Sequence, residues 1–104
     1  MPTIGRCNSI EEVRAHIDRI DHQIVALIAE RGDYVRQAAR FKRNTDDVKA
    51  PQRVEQVISK VRDLSRKLGA NLTVTEQVYR AMISGFIDAE LAEHASLKTN
   101  AGNA

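Results

Sequence analysis

The sequence is poor in residues that staple or break a chain. Its single cysteine, Cys7, cannot close an internal disulfide, so nothing points to an oxidising compartment. Only two prolines and five glycines occur in 104 residues, and no stretch alternates apolar and polar positions with β-branched enrichment. Those absences argue against sheets and leave an all-α reading. No run approaches the roughly 20 apolar residues of a membrane span, and the opening MPTIGRC lacks the apolar core of a secretory signal. A cytoplasmic setting without membrane partners is expected. Charge of one sign is lacking too: 16 basic residues face 14 acidic ones for a net +2, which counts against general nucleic-acid binding. His16, His22 and His94 have no ligand-like spacing and read as surface residues, so no metal site is expected. There is also no glycine-rich phosphate loop and no Ser/His/Asp or Cys/His arrangement. Any catalysis would work without a nucleophile, metal or cofactor.

What is present is helical periodicity. Ser9 with Glu12 fits a capping box and starts a first helix that ends near Lys42 or Arg43, before the polar stretch NTDDVKA. Pro51 suits the first turn of a second helix, along which Val54, Val57, Val61, Leu64 and Leu68 recur before a stop at Gly69. Thr73 with Glu76 fits another capping box, opening a third helix through Val78, Met82, Ile83, Phe86 and Leu91. The expected organisation is an extension over 1–8, a helical domain over 9–97 and a flexible tail over 98–104.

The first helix is too long for its own domain. From Ser9 to Lys42 it would measure about 50 Å at ~1.5 Å per residue, against a diameter of roughly 33 Å for a compact chain of this size. Its seam reads Ile10, Val13, Ile17, Ile20, Ile24, Leu27, Arg31, Tyr34, Ala38, Phe41, in steps of three and four. A helix of that length must bury its stripe against another chain, and a two-fold pair is the commonest solution. The expectation is an intertwined homodimer of three-helix chains.

Arg31 falls where the seam calls for an aliphatic residue. Lys42 lies eleven residues on, close to three helical turns, so both would share a face about 16 Å apart. Arg14 is about 25 Å from Arg31 within one chain. If partner helices run antiparallel and cross near Val25, however, the second chain's Arg14 falls between Arg31 and Lys42. Two readings stay open for these cations: ion pairs or snorkelling stems at the seam's rim, or a shared pocket in which guanidinium groups bind carboxylates bidentately. Glu90 follows Ile83, Phe86 and Ile87 at helical spacing, at the edge of an apolar face. Desolvation there favours the protonated acid, which donates a hydrogen bond; the alternative is a surface carboxylate just off the stripe. Arg53, beside Pro51 in a first helical turn, is a cation at the unfavourable end of the dipole, which hints at a nearby anion.

The stretches VRAHIDRIDHQIVALIAERGDYV, RFK and APQRV, with Arg14, Arg31 and Lys42 at their spacing, resemble the all-α chorismate mutases, and within them the isochorismate-pyruvate lyases. The resemblance covers roughly residues 7 to 97. It implies dimers of three-helix chains, each site completed by the first arginine of the other subunit. Arg14 of the second subunit and Arg31 would then bind substrate carboxylates, and Lys42 would contact a carboxylate and the ether oxygen whose C–O bond breaks. Glu90 takes a position that usually carries Gln, on the other side of that oxygen. Ala50 and Val54 replace acidic residues, and Phe86 a small hydroxyl residue, of typical bacterial mutases; these features lean toward the lyases. The loop from Asn44 to Lys49 would be a lid. The expected reaction is chorismate to prephenate, with isochorismate to salicylate and pyruvate as alternative. A non-catalytic helical dimerisation module is the competing class.

Overall fold

The computed structural model describes the backbone of residues 4–102 and the side chains of residues 4–95. Four helices follow in order: α1 (Ile10–Ala39), α2 (Thr45–Lys49), α3 (Pro51–Leu68) and α4 (Leu72–Gly102). No strand occurs among the described residues. The chain divides into two units, one through Tyr34 and the other from Val35 onward.

The first unit is the bulk of α1. Ser9 Oγ accepts the Glu12 N–H at 3.1 Å, and Glu12 Oε2 accepts the Asn8 N–H at 2.9 Å. The capping box therefore forms, with its return bond one residue earlier than the usual pattern. No residue of α1 is buried. Ile10, Val13, Ile17, Ile20, Ile24, Leu27 and Ile28 are all exposed along it, an aliphatic row that the rest of its unit leaves uncovered.

The second unit holds the core. Helix α3 packs on α4, and α2 packs on α4 as well. Among the described residues, Val48, Ile58, Val61 and Ile83 are the buried aliphatic ones. Pro51 opens α3, where its missing N–H costs nothing. Gly69 closes it at φ 73°, a left-handed conformation that glycine adopts without a Cβ clash, and the Gly69 and Ala70 N–H groups both reach the Ser65 carbonyl. The buried face of α3 is rotated from the expected stripe: Ile58, Val61 and Ser65 point inward, while Leu64 and Leu68 stay exposed. Ser65 tolerates burial because its hydroxyl donates to the Val61 carbonyl at 2.8 Å.

Two further boundaries differ from the sequence reading. Asn71, not Thr73, caps α4: its Oδ1 accepts the Val74 N–H at 3.0 Å and its carbonyl accepts the Thr75 N–H at 2.9 Å. That leaves Glu76 to bond Arg62 and Arg80 instead of returning to the cap. The expected loop from Asn44 to Lys49 is a capped helical turn, α2, with Val48 only 2% exposed. Asn-x-x-Asp at Asn44 and Asp47 supplied the cap.

Candidate active site

The chain leaves α1 at Ala39 by tightening. The N–H groups of Arg40, Phe41 and Lys42 bond the carbonyls of Gln37, Ala38 and Ala39, three residues back, at 3.2, 3.0 and 3.2 Å. Such a 3₁₀-like turn closes a helix end. Lys42 therefore lies beyond α1, and the helical arithmetic that put it on one face with Arg31 does not extend to it.

From this turn the Lys42 side chain reaches α4. Its Nζ donates to Glu90 Oε2 at 3.4 Å, an ion pair spanning 48 residues of sequence. Glu90 is 6% exposed, and the Lys42 side chain 23%. Toward Lys42 the carboxyl group accepts, through Oε2. Ile83 is buried on the same helix, and Phe86 and Ile87 are partly covered. A carboxylate withdrawn from water needs a cation or donor beside it, and Lys42 is that partner.

The other candidate cations divide between the two units. Arg53 is exposed in the first turn of α3, where Ala50, Pro51, Gln52, Arg53 and Gln56 line an open depression of about 500 Å³. Within the first unit, Arg31 is half-buried and engaged with a partner, and Arg14 is exposed. No group of three or more His, Cys, Asp and Glu side chains gathers as a metal site among the described residues. No described helix is long and apolar enough to cross a membrane.

Ala50 was not singled out for its backbone. It serves at once as C-cap of α2 and N-cap of α3, at φ 33° and ψ 63°, and no other non-glycine among the described residues has positive φ. The signal in the sequence was its position: one residue between a capped turn and a helix-opening proline.

Comparison with known proteins shows the family of the chain. Residues 13–91 match the family described as chorismate mutase type II. The isochorismate pyruvate lyase of Pseudomonas aeruginosa is 31% identical over 87 residues, which cover 84% of this chain and 86% of that protein. The family match takes in α1 from Val13 onward, Lys42 and Glu90. The chain belongs to the chorismate mutase type II family.

Proposed function

We propose that the protein catalyses the pericyclic rearrangement of chorismate to prephenate, without a covalent intermediate. The observation that carries this reading is the Lys42–Glu90 pair, a cation and a carboxyl group held 3.4 Å apart on two separate segments. An ammonium has three N–H donors and no acceptor. One donor meets Glu90; the others are oriented by that contact and suit a substrate carboxylate and ether oxygen. Negative charge grows on that oxygen as the C–O bond breaks, and a preoriented cation stabilises it more than the ground state. Binding also holds a flexible dianion in its reactive chair-like conformer.

Arg31 and Arg53 complete carboxylate recognition in this proposal, and Arg14 enters from a second subunit. The exposed aliphatic row of α1 supports that dimer, since a stripe of seven aliphatic residues is large for a monomer's surface.

A second reading is favoured by a specific finding. The Pseudomonas relative is described as a lyase, and Ala50, Val54 and Phe86 depart from mutases in the same direction. On this reading isochorismate gives salicylate and pyruvate by breaking the corresponding ether C–O bond, with the same cations in the same roles.

Purified protein given chorismate and isochorismate separately decides between them. Chorismate consumption followed by absorbance should exceed salicylate formation followed by fluorescence; salicylate formed much faster from isochorismate reverses the order. Lys42→Ala should lower whichever activity is present by about 10²–10³-fold. Neither product from the parent protein would leave a helical dimerisation module as the function.

A further inference from the structure

We propose that Asp47 is a positioning residue for Lys42, acting through the backbone on either side of it, an inference that rests on Lys42 being catalytic. Lys42 lies in neither of the helices that flank it: α1 ends at Ala39 and α2 begins at Thr45. Its flexible four-carbon stem can deliver an ammonium to a fixed point only if its backbone is fixed. Two clamps do this. Upstream, the Lys42 N–H is held by the Ala39 carbonyl at 3.2 Å. Downstream, Asp47 Oδ2 accepts the N–H of Arg43, the next residue, at 2.9 Å.

Asp47 is itself anchored. Its N–H donates to Asn44 Oδ1 at 2.9 Å, and the Val48 N–H reaches the Asn44 carbonyl at 3.3 Å. Val48 is buried in the same unit, where α2 packs on α4. Helix α4 also carries Glu90, so the backbone of Lys42 and the carboxyl group its ammonium meets are registered against one element. The short helix thereby ties the backbone beside Lys42 to α4.

The Asp47–Arg43 bond is exposed. Water can replace the carboxylate once it is removed, so loss of the bond costs little stability, but water does not hold the backbone in place. Loss of Asp47 therefore acts on positioning, where small displacements reduce rate steeply. Its neighbour Asp46 carries the same charge in the same turn, and there the backbone carbonyl serves, accepting the Ala50 N–H at 2.9 Å.

The test compares four variants on whichever substrate the protein turns over. Asp47→Ala should lower kcat/KM on the order of tenfold, with most of the loss in kcat. Asp47→Asn, which keeps an acceptor for the Arg43 N–H, should stay within about twofold of the parent, as should Asp46→Ala, which removes the same charge. In a Lys42→Ala background, Asp47→Ala should add no further loss, because its only route to the reaction is gone. Asn44→Ala, which releases Asp47 from its anchor, should show the same pattern and serves if Asp47→Ala unfolds. Equal losses in Asp47→Ala and Asp46→Ala, failure of Asp47→Asn to rescue, or an undiminished effect without Lys42 would each overturn the proposal. Full activity in Lys42→Ala alone would overturn it at its root, by removing Lys42 from catalysis. Loss in Lys42→Ala with none in Asp47→Ala would overturn only the role of Asp47.

Discussion

Arg80 grips Glu55 from across the α3–α4 interface with two N–H donors, Nη1 to Oε1 at 3.1 Å and Nη2 to Oε2 at 3.3 Å. Its Nε donates to Glu76 Oε2 at 2.9 Å, and Arg62 bonds the other oxygen of Glu76. The four charges form a chain, Glu55–Arg80–Glu76–Arg62, that links the two helices. Two guanidinium groups on one carboxylate are the strong form of an exposed ion pair. The Arg80 guanidinium is pushed further above its ordinary range, by Glu55 first and Glu76 second.

The hydrogen bonds from Arg80 and then Arg62 hold the Glu76 carboxyl below its ordinary value of 4.5. A carboxyl group depressed in the folded state contributes stability above its unfolded value, and that contribution is lost as pH falls through the folded value. Glu76→Gln should therefore be less stable than the parent at neutral pH, with the gap closing as the solution is acidified below 4.5. Denaturation midpoints across pH measure this. A gap that stays constant into acid would show that Glu76 acts through packing and not charge.

Glu90 is tested through the rate. Its carboxyl group accepts from the Lys42 ammonium, and Glu90→Gln keeps an acceptor there while adding N–H donors that can meet the substrate's ether oxygen. Its kcat should therefore stay near or above the parent's, whereas Glu90→Ala, which leaves the ammonium unheld, should lose on the order of tenfold or more. Equal kcat in Glu90→Ala and the parent would remove Glu90 from the mechanism.

Ala50 carries backbone strain that glycine would relieve. A left-handed conformation costs a residue with a Cβ about 1–2 kcal/mol, partly offset by the ~0.4–1 kcal/mol of unfolded-state entropy that glycine adds. Ala50→Gly should raise unfolding free energy by up to about 1.6 kcal/mol, measured by urea titration. A drop would mean that the methyl group of Ala50 contributes packing worth more than the strain.

Gly85 lies inside α4, and a Cβ built there meets nothing within 4 Å. Glycine in a helix interior is worth about 0.5–1 kcal/mol less than alanine, so Gly85→Ala should stabilise the protein by that amount. A loss of stability in the same urea titration would place a second chain's backbone against this position.

Local chemistry made much of the fold readable. The Ser9–Glu12 box, Pro51 and Gly69 each act within a few residues, and each boundary falls where its own hydrogen bonds or φ preference put it. Thr73 misled because two capping residues compete: Asn71 lies two positions earlier, and Glu76 was claimed by arginines on α3 and α4. The stripe of α3 was misread because Leu64 and Leu68 look like core by type, while Ser65 earns burial only through its bond to Val61. In the site, periodicity put Glu90 at the edge of an apolar face, but no local rule pairs it with a lysine 48 residues earlier. Resemblance to a family put the two on opposite sides of one substrate oxygen, and the fold of the second unit brings them into direct contact.

The uncovered face of α1 also has a consequence in time. Helix α1 leaves the ribosome before α2, α3 and α4, and the 63 residues from Arg40 to Gly102 follow over roughly 3–13 s at about 5–20 residues per second. Throughout that interval the aliphatic row has no core of its own to enter. What protects it is the rest of its surface: Glu11, Glu12, Asp18, Arg19 and Asp21 crowd the intervening positions. A nascent helix so charged stays hydrated and repels premature stacking. The charges of α1 that have no place in the proposed chemistry thus serve the polypeptide before it is finished.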